Sequence, residues 1–317
     1  MLVPNLLNEL INLEFLYIDG NNLDELLSTS INPLVSLKKL VASNNKISLI
    51  DWDNFTTVSL ISFDLSNNEL EKISLCTDAT SNTTQCPNFY GPHGPLILLI
   101  YLDLSFNKLV SITKYDFYLF SLLEHLNLNN NKIDSIEPLS FSNNVNLKQL
   151  DLSYNNLIAF DSSSFTPIDS NYKPVLEKLI LSHNKIEEIS DDTFIIFDNL
   201  KFLDLNSNLL YDLGLAFNGL SSLEYLYLTS NLITSVNENT FVGLNSIVVL
   251  NCEFNQIQKF SAIALDILLE SETMEQLCLF SNPGLLNDLS LFNDYSTCSR
   301  DKCIVHMFES CLTHKFN

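Results

Sequence analysis

One spacing constrains this chain more than any other feature. Alignment on L-x-x-L-x-L-x-x-N-x-L places a leading apolar residue at Leu13, Leu37, Leu60, Leu99, Leu123, Leu147, Leu176, Leu200, Leu223, Ile247 and Met274. The steps are 24, 23, 39, 24, 24, 29, 24, 23, 24 and 27 residues. Copies as written include LEFLYIDGNNL, LEHLNLNNNKI, LKQLDLSYNNL, LEKLILSHNKI and LKFLDLNSNLL. A unit this short cannot bury its own apolar face, so such units must stack into a solenoid with a continuous core. The L-x-L step has period two, so each copy opens with a short strand whose third, fifth and seventh positions face solvent. Eleven parallel strands about 4.8 Å apart would give a sheet roughly 50 Å long, the obvious binding surface.

The ninth position is Asn in every copy: Asn21, Asn45, Asn68, Asn107, Asn131, Asn155, Asn184, Asn208, Asn231, Asn255 and Asn282. A buried amide offers two donors and two acceptor lone pairs, enough to bridge the turning backbone of its own coil and of the next, so the column reads as structural. A second marker is Phe55, Phe117, Phe141, Phe165, Phe194, Phe217 and Phe241, usually five or six residues before the next leading position. Phenylalanine at that regularity is expected to fill the core as an aromatic spine.

This combination of 24-residue coils, Asn column and Phe spine resembles the typical-type leucine-rich repeats of extracellular proteins, Toll and Toll-like receptor ectodomains among them. The resemblance implies an α/β solenoid or horseshoe, with a parallel sheet on the concave face and an irregular or short-helical convex side. It covers about Leu6 to Gly284, so residues 1–284 are expected to form the solenoid and 285–317 a cysteine-bearing C-terminal cap. LCLFSNPGLLNDLSLF, followed by Cys298, Cys303 and Cys311, resembles the start of such a cap, although Gly284 stands where an aromatic residue is usual. Before Leu13 there are only the tail of a preceding coil and no cysteine, so no N-terminal cap is expected within these residues, and the opening MLVPNLLNELINLEF lacks the basic region and cleavage site of a signal peptide.

Two insertions interrupt the period on the return side. CTDATSNTTQC runs from Cys76 to Cys86, and TPIDSNYKP precedes Leu176. Of seven cysteines, Cys252 falls at an inward position as a free thiol. Cys76 and Cys86 can close a small loop, leaving Cys278, Cys298, Cys303 and Cys311 to pair in one of three connectivities. Cys298, Cys303, His306, Cys311 and His314 also have the spacing of a zinc cluster; disulfides are the preferred reading because the sequons Asn54-Phe55-Thr56 and Asn82-Thr83-Thr84 point outside the cell.

On the sheet face, Asp64, Asp103, Asp151 and Asp204 share the fifth position and read as a solvated polar row. Phe202, Tyr225 and Tyr227 break that polarity on adjacent strands, with Phe254 at the edge of the next coil. Solvent-facing aromatics on such a surface are candidate binding hot spots, and the simpler reading is that they pack on one another. The ligand-binding set is therefore Phe202, Asp204, Tyr225, Tyr227 and Phe254.

Other classes are disfavoured. Sixteen Lys and Arg oppose 38 Asp and Glu, a formal charge of -22 that repels nucleic acid and anionic membranes. No apolar run reaches the roughly 18 residues of a membrane span. The five histidines are dispersed, and no nucleophile elbow, phosphate loop or metalloprotease helix occurs. No enzyme, metal or cofactor is expected. The resemblance implies an extracellular or cell-surface recognition module for a protein ligand, co-receptor or microbial ligand. A secreted adhesion protein and an intracellular scaffold, such as a phosphatase regulatory subunit, are the alternatives.

Overall fold

The computed structural model describes residues 6–50, 52, 55, 59–73, 98–166, 173–285 and 304–306. They fall into two compact units: Met1–Asn155 with Ser163–Pro174, and Asn156–Ser162 with Val175–Asn317. In the first unit the strands Phe15–Tyr17, Lys39–Val41, Ser62–Asp64, Tyr101–Asp103, His125–Asn127 and Gln149–Asp151 pair in parallel and in chain order. The long step from Leu60 to Leu99 causes no slip, since Phe63 still pairs with Leu102. In the second unit the order is Lys178–Ile180, Phe202–Asp204, Tyr225–Tyr227, Val249–Asn251, Gln276–Cys278 and Ile304–His306, again parallel. The last strand lies beyond Gly284, so the sheet continues into the stretch expected to be a cap. On the return side are short pieces: the helices Ser28–Ile31 and Ala262–Glu270, and two-residue strand pairs such as Ser111–Ile112 with Ser135–Ile136. Each unit is thus the parallel-sheet solenoid that the repeat predicts.

Each coil leaves its strand through one backbone device. The eighth position is left-handed in every copy: Gly20, Asn44, Asn67, Phe106, Asn130, Tyr154, His183, Ser207, Ser230, Phe254 and Ser281 all have φ between 53° and 65°. The following Asn is then aimed inward. Asn131 donates to the carbonyl oxygens of Leu128 (3.0 Å) and Asn129 (3.3 Å) in its own coil and of Leu104 (3.0 Å) in the preceding one, and accepts from the N–H of Leu109 (3.0 Å). Asn45, Asn68, Asn107 and Asn155 repeat this pattern in the first unit, as do Asn208, Asn231 and Asn255 in the second. Asn282 likewise bridges to Cys252 and Ile257. Asn184 donates to the carbonyl oxygen of Leu181 in its own coil and accepts from the N–H of Leu157, while exposed Asn21 donates within its own coil.

The Phe positions stack at the period of the coils. Phe117–Phe141 and Phe141–Phe165 ring centroids are 5.6 and 4.8 Å apart in the first unit, and Phe194–Phe217 and Phe217–Phe241 are 6.3 and 6.2 Å apart in the second. Trp52, the only tryptophan, is buried against Phe63 and Phe120. On the strand-entry edge, Lys38–Glu14, Lys148–Glu124 and Lys201–Glu177 join second positions one coil apart at 2.7, 2.9 and 3.1 Å. Pairs this exposed add little stability, yet they oppose slippage of one coil against the next. Gly284 also has a packing reason: a Cβ there would lie 2.5 Å from the Cα of Gln258.

Position eighteen holds buried small hydroxyl residues in other coils, including Ser30, Ser140, Ser164, Thr193 and Thr240. Asp116 takes that place in its coil. Its Oδ2 accepts from the Thr113 N–H at 2.7 Å, but burial, with Glu137 nearby, pushes its carboxyl from 3.8 up to about 6. The proton is bound more tightly in the folded state, so Asp116 supports folding below its ordinary pKa and loses that support as pH rises through about 6. Asp116→Asn should therefore match the parent near pH 4 and exceed it at pH 7.5 by up to about 3 kcal/mol in urea unfolding followed by Trp52 fluorescence. In the same assay Asn131→Ala should cost about 2–4 kcal/mol, because one truncation orphans a buried N–H and leaves three carbonyls with fewer partners.

Candidate recognition surface

In the second unit the parallel register sets Lys178, Phe202, Tyr225 and Val249 side by side, with Ile180, Asp204, Tyr227 and Asn251 in the next row. Because the pleat turns alternate residues inward, both rows share the face away from the leucine core. Phe202 is the hub. Its ring centroid is 5.4 Å from Tyr227 and 6.2 Å from Tyr225, and the Lys178 ammonium sits 4.8 Å above it. All three rings are half-buried: they pack on one another, as the simpler reading holds, and still present ring area to solvent. Burial, followed by Tyr225 and then Asp204, raises the Tyr227 hydroxyl pKa, so this phenol is a neutral hydrogen-bond donor at ordinary pH. Lys178 was not singled out in the sequence, although its place one coil before Phe202 was the signal that it would lie there.

Asp204 does not stand free beside this cluster. Its Oδ1 accepts the Asn206 N–H at 2.9 Å, and the Asn206 Oδ1 accepts the Thr229 N–H. The same turn recurs in the first unit, where Asp64, Asp103 and Asp151 each accept at 2.9 Å from the Ser two residues on. The acidic fifth position thus closes the end of the strand, a local role that the reading as a solvated row missed. Asp103 also accepts from the Tyr101 hydroxyl at 3.1 Å, and burial, then Asp103 and Asp64, pushes that phenol up to about 12.

Phe254 lies at the left-handed eighth position, exposed, with its ring edge-on to Phe280 at 5.6 Å. It belongs to the flank of the coil, whereas the other four residues of the set belong to the sheet face. Beyond Tyr225 and Tyr227 the face closes: Val249, Asn251, Glu253 and Cys278 were expected to face solvent but are buried. Alternation identifies the side of a strand a residue takes and carries no information on whether that side is covered. Cys278 is disulfide-bonded, its partner lying outside the described residues. Asn54, Asn82, Cys76, Cys86, Cys298, Cys303, Cys311 and His314 also lie outside them, as does TPIDSNYKP from Pro167 to Tyr172. Among the described residues no group of three His, Cys, Asp or Glu is placed to hold a metal ion, and no helix is long and apolar enough to cross a membrane.

The coil geometry has counterparts. A leucine rich repeat family profile matches residues 97–157, 121–169 and 214–257. Within those residues the chain carries leucine-rich repeats, and both units have the solenoid fold of such repeats. Mouse podocan is 38% identical over 130 residues, which cover 40% of this chain and 20% of podocan, so the chain spans only a fraction of the length of that relative. Among solved structures, the Leptospira interrogans leucine-rich-repeat protein LIC12759 has a TM-score of 0.70 at 23% identity, covering 95% of this chain and 68% of its own. A chain of the Drosophila Toll–Spatzle complex has a TM-score of 0.67 at 20% identity, covering 93% of this chain and 40% of its own. At such identity the likeness is one of fold, and in fold this leucine-rich-repeat chain resembles a Toll-like ectodomain.

Cys252 occupies the inward sixth position of its strand and is a free, fully buried thiol that burial pushes up to about 12. A thiol held protonated and covered should not react. Ellman's reagent at pH 8 should leave Cys252 unmodified in the native leucine-rich-repeat protein and modify it at the rate of global unfolding when urea is added, read by peptide mass.

Proposed function

We propose that the chain is an extracellular recognition module that binds a protein ligand or co-receptor through the sheet face of its second unit. The observation that carries this reading is the ring cluster of Phe202, Tyr225 and Tyr227 under Lys178, half-buried on the sheet face. Rigid aromatic area held by its own neighbours loses little side-chain entropy on binding, which is why such groups dominate protein interfaces. The Tyr hydroxyls and the Lys178 ammonium supply donors around the apolar centre, and Asp204 an acceptor. A protein partner fits this mixture better than a small molecule, which would need an enclosing cavity. The Drosophila Toll structure, similar in fold, is that of a complex with Spatzle.

The compartment rests on Cys278. A disulfide persists in oxidising surroundings and is rare in the cytosol, which favours secretion over an intracellular scaffold. The same setting would let Asn82 and Asn54 carry glycans and the remaining cysteines pair. A microbial ligand is one of the protein ligands this surface would admit, and catalysis has no place in the reading.

Two measurements test it. With a partner selected from a displayed library of secreted proteins, Phe202, Tyr225 and Tyr227 changed together to Ala should weaken binding by more than about a hundredfold while circular dichroism is unchanged; unaltered affinity in a folded triple variant refutes the site. Intact-mass analysis of secreted material, with and without reductant and glycosidase, should show paired cysteines and an N-glycan, whereas free thiols on an unmodified chain would return the protein to the intracellular class.

A further inference from the structure

A second surface stands on the flank where the coils leave the sheet. Positions eight, ten and twelve alternate there with the inward Asn and Leu, so their side chains share the solvent side. In the second unit, successive coils lie one rung apart at these positions: the Leu232 N–H donates to Leu210 O, and the Gln256 N–H to Ile233 O. Across the three coils from Leu200 to Met274, none of the nine residues at these positions is charged. Four are large and open to solvent: Leu209 (39% exposed), Tyr211 (51%), Leu232 (41%) and Phe254 (41%). The first unit has no equivalent stretch, since Lys108, paired with Glu69, separates exposed Phe106 and Val110, and the next coil carries Lys132 and Asp134.

An uncharged window of three adjacent coils that exposes four large side chains among Ser, Thr and Gln is unusual on a chain of charge -22. Three rungs of about 4.8 Å make it roughly 15 Å across, a patch too small to supply by itself the ~800 Å² that a stable interface buries on each partner. Any protein that docks here must therefore also cover the rim, and the rim decides which protein it is. Bordering the window, Glu187, Glu188 and Asp212 outnumber Lys185 and Lys259, and from Val175 to Leu285 four Lys face fifteen Asp and Glu. A second copy of this chain would set acid against acid around the contact. A partner with an apolar centre and a basic rim would not.

We infer that the flank formed by Leu209, Tyr211, Leu232 and Phe254 is a docking surface for a basic, amphipathic protein segment, distinct from the ring cluster on the sheet face. The probe is a short helical peptide of Lys and Leu in amphipathic order, compared with a Glu-Leu and a Lys-Ser peptide of the same length, by fluorescence anisotropy near physiological ionic strength. The Lys-Leu peptide should bind the full chain at least about tenfold more tightly than either comparator. Leu209→Ser with Leu232→Ser should remove that advantage, Leu49→Ser in the first unit should not, and Tyr211→Ser supplies a single-site reading should the double variant unfold. The inference is overturned by equal binding of the Glu-Leu peptide, by affinity untouched in both flank variants, or by loss only in the Phe202, Tyr225 and Tyr227 variant. Sedimentation of the parent as a dimer that the double variant returns to monomer would also overturn it, by making a second copy the occupant.

Discussion

Everything in these two solenoid units depends on one amide per coil, buried in every coil after the first. Parallel strands joined over two dozen residues have no hairpin to hold their ends together, so the polypeptide must turn away from the sheet with its backbone groups satisfied by some other means. The Asn side chain does this by reaching across to the preceding coil while it ties its own turn, with donors and acceptor both used. The leucines supply the burial, but apolar packing is not directional and would tolerate a slip. The amide network does not tolerate one. Once it fixes the rung, position three falls beside position three along each unit, and surface chemistry can be written column by column.

That columnar order explains the candidate surfaces. Phe202 and Tyr225 meet because they share a position in successive coils, and Lys178 caps Phe202 for the same reason. The flank window arises in the same way, from three coils that omit charge at the same three places. In neither case does a loop have to be built. A solenoid acquires a binding patch by changing residues that face outward, with the core and the amide column untouched, and this is why the frame resembles that of proteins with little sequence in common with it.

Much of this was legible in the sequence, and the part that was not has identifiable causes. The strands, the inward Cys252 and the stacking of Phe117, Phe141 and Phe165 follow from periodicity alone, which reports which side of the backbone a residue takes. Periodicity does not report what lies against that side, so Val249, Asn251, Glu253 and Cys278 read as open when they are buried. Nor does it separate a solvated carboxylate from one bonded to the backbone two residues on, which is the state of Asp64, Asp103 and Asp151. The eighth position was hidden for a different reason. Gly, Asn, Ser, His, Phe and Tyr all occur there, and only backbone dihedrals reveal what they share.

That eighth column carries a consequence for how such a chain can change over generations. A left-handed backbone is easiest for Gly and accessible to Asn, and it strains a bulky side chain. Phe106, Tyr154 and Phe254 nevertheless occupy it, each with its ring open to solvent. At these three coils local backbone comfort and the chemistry displayed at the surface pull in opposite directions, so they act as reserves. A drift to Asn at any of them would relax the turn and erase a ring from the flank in a single step. The column thus couples the firmness of the frame to the stickiness of its edge, and the residue found there sets the balance of the two in that coil.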